Sequence, residues 1–124
     1  MDAAFRAELE EMGMDVDTTV NRFMGNESLY LKFLNKFQND RSVANIQQYI
    51  TDQNAEEAFK SAHTLKGVAA NLGLDPIAQH ASDIVELLRG KSQFSEVDTG
   101  KLNSVNAELN TIYDKLMKVL AAHQ

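Results

Sequence analysis

The sequence predicts an all-α protein, an up-down four-helix bundle with one or two short additional helices at its N-terminal end. Three observations carry that reading. Apolar residues recur at three- and four-residue spacing along most of the chain, the mark of amphipathic helices. Runs of alternating apolar and polar residues, which would signal strands, are scarce. The single proline, Pro76, and the six glycines are spread out as punctuation and form no interdomain linker. Long helices joined by short polar turns favour antiparallel neighbours.

The elements follow in order. A short helix is expected over Ala3 to Met12, stopped by Gly13, and a second over Asp17 to Met24, with Asp17 as N-cap and Gly25 as stop. Behind a cap-like Asn26, the segment NESLYLKFLNKFQND places Leu29, Phe33 and Phe37 on one stripe with Tyr30 and Leu34 beside it. That helix continues, or resumes, through Val43, Ile46, Tyr49 and Ile50. After the polar break TDQN, Ala55 to Leu72 repeats apolar residues at Ala58, Phe59, Ala62, Leu65 and Ala69, and Gly73 ends it. Asp75 followed by Pro76 starts the next helix, because proline suits the first turn and aspartate can cap it. It reaches Arg89, where Gly90 stops it. The last helix, from Glu96 or Asp98 to Ala121, carries Leu102, Val105, Leu109, Ile112, Leu116 and Leu120. Met12, Met14, Met24 and Met117 are expected to fill core gaps, and Phe23, Phe33, Phe37 and Phe59 to belong to the core.

Composition bounds the function. A chain of 124 residues suits one domain, 1–124, with its bundle core over 17–122. An apolar fraction of 44% fits a globular protein. No apolar window of about 18 residues could span a membrane, and the start MDAAFRAELEEMG carries acids where a secretory signal needs a basic region. The absence of cysteine removes disulfides and thiolate metal sites and agrees with a reducing compartment, so a cytoplasmic location is expected. Eighteen acids against 12 bases give a net charge of −6, and the bases are scattered. Nucleic acid, which demands a basic patch, is therefore not the expected partner, and the charge serves solubility. A monomer is expected.

The residue that stands out is His63. On a helical wheel of Ala55 to Leu72 the apolar positions centre near Ala62 and Ala69, and His63 lies roughly 120° from that centre at about 100° per residue. It points outward. Gly67, one turn on, shares its face. A glycine inside a helix costs about 1 kcal/mol relative to alanine, which asks for a steric reason. Clearing the approach to an imidazole nitrogen is one. Lys66 lies between this face and the core, its stem along the bundle and its ammonium within reach of an anion at His63. A nucleophilic histidine, a cation and a gap suit phosphoryl transfer, which needs in-line approach and neutralised equatorial oxygens. Each signal alone is weak, since a lone surface histidine is more often simply solvated.

Two segments carry a family resemblance. AHTLKGVAANLGL, Ala62 to Leu74, resembles the phosphorylation-site motif of histidine phosphotransfer domains, in which lysine and glycine follow the histidine by three and four places and a further glycine ends the helix. RFMGNESLYLKFLNKF, Arg22 to Phe37, is similar to the segment leading into that family's first bundle helix. The spacing between the two also fits, so the resemblance covers Asp17 to Leu120. It implies reversible phosphorylation of His63 by the aspartyl phosphate of a receiver domain, with Lys66 as phosphoryl neighbour and Gly67 as steric clearance. The partners implied are receiver domains of response regulators or of a hybrid sensor histidine kinase, and Mg²⁺ is supplied by the receiver, so the chain itself needs no cofactor or metal. Some members carry a glutamine on the next helix that bonds the imidazole or phosphoryl group; here that place is Val85, and Ser82 is the candidate substitute. Ala70, Leu74, Ser82 and Arg89 are the expected docking residues around His63.

Two other readings compete. In a helical adaptor without phosphorylation, His63 would be incidental. A hydrolase or metal-dependent phosphatase would need carboxylates beside His63, where Glu56 is the only acid on the exposed face. No glycine-rich phosphate loop is present, which argues against ATP as direct donor. His80 and His123 form no short-spaced pair with His63, so no zinc site is expected.

Overall fold

The computed structural model describes residues 1–124. Its elements are all helical: α1 (Ala3–Glu11), α2 (Val16–Arg22), α3 (Glu27–Lys36), α4 (Ser42–Thr51), α5 (Ala55–Asn71), α6 (Asp75–Leu88) and α7 (Thr99–Ala122), with 3₁₀ turns at Phe37–Asn39 and Phe94–Glu96. The expected all-α bundle is what forms. Helix α5 packs most extensively against α6 and next against α4, while α7 closes the bundle against α6 and α4. The short helices α1 and α2 pack at its side, α1 touching α7. One core of 27 buried apolar residues runs through all of it. No helix is long and apolar enough to cross a membrane.

Helix starts follow the sequence chemistry, with two exceptions. Asn26, Asn54 and Asp98 each accept the third amide of their helix, at 3.0, 3.1 and 3.1 Å. This satisfies a backbone donor that would otherwise have no intrahelical partner. The N-cap of α2 is Asp15, whose carboxylate accepts from Thr18 N at 3.1 Å. Asp17 sits instead in the first turn, where it pairs with Arg6 of α1. Helix α6 has Leu74 at its N-cap with no side-chain bond, and Asp75 falls inside the helix. Pro76 in the first turn lacks an amide to satisfy, so this start tolerates the missing cap.

Of the two courses open after the Asn26 segment, the helix resumes rather than continues, interrupted by the 3₁₀ turn Phe37–Asn39 and the extended Asp40, ψ 130°. Because α3 is thereby uncoupled from α4, its inner face is set separately. Tyr30, Leu34 and Phe37 go into the core, while Leu29 (38% exposed) and Phe33 (41%) face outward. Met24, expected as a core filler, is 95% exposed in a turn at φ 58°.

Helix α2 braces the far end of α5. Gly73 takes φ +68°, a left-handed conformation that closes α5 and suits glycine. The same glycine lets α2 come close, since a Cβ there would stand 2.9 Å from Thr19 Cβ. Thr19 is fully buried and donates its hydroxyl to Asp15 O at 2.6 Å. Arg22, at the end of α2, donates Nη1 to Ala70 O at 2.8 Å.

Polar contacts join the remaining helices. Buried Asn106 of α7 donates to Gln47 Oε1 of α4 at 2.7 Å. His80 of α6 faces Pro76 O through Nδ1 (2.7 Å) and Glu108 of α7 through Nε2 (2.9 Å). His123 stacks on Phe5, with ring centroids 4.7 Å apart, and meets Glu8 at 2.6 Å.

Candidate functional site

Helix α5 turns Ala55, Ala58, Ala62, Leu65 and Ala69 into the core. The small alanine side chains let the neighbouring helices approach closely. The same period leaves His63, Gly67 and Ala70 exposed on the opposite side, with Lys66 half-buried at the border. This is the arrangement that the spacing predicts. A Cβ built on Gly67 meets nothing within 4 Å, so the space beside His63 is open.

Both ring nitrogens of His80, and Nε2 of His123, face acceptors. No hydrogen bond engages His63. Its ring instead meets Phe59, one turn earlier, at a centroid distance of 6.1 Å and an interplanar angle of 40°. Phe59 is half-buried, with the rest of its surface against the core. The Arg89 guanidinium carbon stands 5.7 Å from the Phe59 ring centroid, and Arg89 donates to Glu86 at 3.0 Å. Those hydrogen bonds and the charge of Arg89 hold the Glu86 carboxyl below its ordinary value of 4.5, with a smaller pull from Lys66. The carboxylate in turn raises the Arg89 pKa. Glu86 and Arg89 thus form an ion pair at the Phe59 ring, the ring that His63 meets.

The expected docking residues separate. Ala70 is exposed, but its carbonyl is taken by Arg22. Leu74 is fully buried and does not extend the His63 face, because the left-handed turn at Gly73 directs the chain inward before α6 begins. Ser82 is half-buried on α6, and no hydrogen bond links it to His63. Val85 is fully buried, so α6 offers apolar atoms at that place. Arg89 is exposed and paired with Glu86. Glu56, the acid expected nearest on this face, is engaged with Lys60 at 3.2 Å.

The sequence does not reveal Phe59 as the ring partner of His63, nor Glu86 as the ion-pair partner of Arg89. Phe59, expected in the core, is half-buried, and its position four residues before His63 places it on the adjoining surface. Glu86 stands three residues before Arg89 on the same helix, the spacing that lets the two pair. Beyond Gly67 the surface continues into a groove of about 930 Å³ between α3 and the end of α5, lined by Phe23, Phe33, Phe37, Val68 and Leu72 with Arg22 and Lys36 at its rim.

Among protein-family models, the one described as the Hpt domain matches residues 30–117. No curated protein and no solved structure matches the chain.

Proposed function

The chain belongs to the Hpt domain family, and from that membership we propose that it is a phosphocarrier that accepts a phosphoryl group on His63 from one receiver-domain aspartate and passes it to another. Histidine phosphotransfer within phosphorelays, with receiver domains as partners, is what the family implies in general. The observation that supports His63 as the carrier is its freedom. Of the three histidines, it alone lies on an open helix face with no hydrogen bond to its ring and with space beside it.

In this reading a neutral imidazole nitrogen attacks the phosphorus of the receiver's aspartyl phosphate. An N–P bond forms, the acyl O–P bond breaks, and the carboxylate leaves on the receiver; the reverse sequence delivers the group onward. Lys66, on a stem laid along the bundle, offers its ammonium to the equatorial oxygens, whose charge is what such a transfer must neutralise. Gly67 keeps the line of approach clear. The divalent metal belongs to the receiver, and this chain contributes no metal site, no ATP site and no turnover of its own. A cytoplasmic monomer fits this role.

The test is incubation of the chain with phosphorylated receiver domains from the same genome. Label that is acid-labile and alkali-stable, and lost in His63→Gln with the helical circular dichroism unchanged, is expected. Label retained in His63→Gln, or lost instead in His80→Gln, would overturn the assignment.

A further inference from the structure

A histidine that must be met in line by a second protein has to be held in one orientation, since small misplacements of reacting atoms cost large factors in rate. On this chain the polar means of holding it are missing. Val85 is fully buried, Ser82 makes no bond to the ring, and no hydrogen bond engages either nitrogen of His63. We propose that Phe59 is the positioning residue for His63, holding the imidazole by ring contact and itself backed by Arg89. The proposal rests on the phosphocarrier reading for its purpose, and on geometry for its content.

The ring pair at 6.1 Å lies within the range of attractive aromatic contacts. Phe59 has the rigidity to act as a support, because its other side packs against the core. The guanidinium of Arg89 lies at cation–π distance from the same ring, 5.7 Å from its centroid. Arg89 is in turn held by Glu86 at 3.0 Å. A continuous set of contacts, Glu86 to Arg89 to Phe59 to His63, thus runs from α6 to the imidazole. Support of this kind has a chemical advantage over a hydrogen bond. It orients the ring while leaving both nitrogens without a protein partner, so the attacking lone pair need not first be released.

If Phe59 served only to fill the core, replacing it would change stability and leave the behaviour of His63 alone. The experiment uses Phe59→Met, which keeps most of the volume and apolarity and loses the ring, and Phe59→Tyr, which restores the ring. Three-bond couplings across the His63 side chain report its rotamers by NMR. Transfer from a phosphorylated receiver is followed across receiver concentrations. For Phe59→Met we expect couplings averaged over rotamers, a maximal transfer rate down about tenfold, and an unchanged half-saturating receiver concentration; Phe59→Tyr should resemble the parent in all three. Unchanged couplings and rate in folded Phe59→Met would overturn the proposal. If the parent chain takes no label at all, the phosphocarrier reading fails and the couplings alone decide the positioning role. If Phe59→Met does not fold, Arg89→Gln, at an exposed site, carries the coupling measurement: averaging supports the chain of contacts, and no change overturns it.

Discussion

Arg22 donates a hydrogen bond to the carbonyl of Ala70 at 2.8 Å, tying the end of α2 to the last turns of the helix that bears His63. The carbonyls at a helix C-terminus lack intrahelical partners, and here a side chain from 48 residues away adds a second donor to the Gly73 amide that already bonds Ala70 O. Arg22→Met should cost about 0.5–1.5 kcal/mol, the usual net value of one such bond. Amide hydrogen exchange should speed up at Gly73 and Leu74, whose amides bond Ala70 O and Ala69 O. Unchanged protection there would mean that α2 does not brace this end.

The glycines at 67 and 73 should respond in opposite directions to alanine. Gly67 has open space and ordinary helical backbone, so Gly67→Ala should stabilise by about 0.5–1 kcal/mol. Gly73 has φ +68° and Thr19 against it. Gly73→Ala should therefore cost about 2–4 kcal/mol through strain and overpacking combined. Denaturant midpoints of the two variants decide this. The bulkier Gly67→Gln should leave the fold intact and block transfer to His63.

His80 links α6 to α7 in a way that depends on protonation. With Nδ1 facing Pro76 O, both nitrogens are satisfied as donors only in the imidazolium, whose Nε2 then donates to Glu108. Burial lowers the His80 pKa, but the Pro76 carbonyl, Glu108 and, more weakly, Asp83 outweigh it, and the net shift from 6.5 is upward. A raised folded pKa contributes stability that is fully present below the unfolded value of about 6.5 and is lost as pH rises through the folded one. The stability difference between the parent and His80→Gln should accordingly shrink as pH is raised from about 6 to about 9. A difference that grows over that interval would mean that folding lowers the His80 pKa.

Charge at the docking face should matter unequally. Lys66→Ala should slow transfer strongly, because its ammonium faces no ion-pair partner of its own. Arg89→Ala should give a smaller, salt-sensitive loss, since its charge is already shared with Glu86. Lys101, at the start of α7, should be neutral to substitution. Rates at low and high salt test the order, and equal losses at Lys66 and Lys101 would misplace the surface.

Removing core volume under the site should separate folding from chemistry. Leu65 is fully buried and follows His63 by two residues on the inward face of α5. Leu65→Ala should cost about 2–5 kcal/mol in a denaturation measurement, with labelling of the remaining folded fraction retained.

Much of this protein is local and therefore legible in its residues. Periodicity, the cap at Asn26 and the stops at Gly73 and Gly90 determine where helices run. The 3.6-residue repeat alone turns His63, Lys66 and Gly67 to the positions they occupy, because a helix assigns its faces without reference to other segments. Whether a face is then covered is a non-local matter, settled by which segment packs on it. That is why Leu74 and Phe33, one read as exposed and the other as core, exchange those roles in the folded chain. It is also why Arg89, with Glu86, reaches the Phe59 ring beside His63 only once α5 and α6 lie side by side.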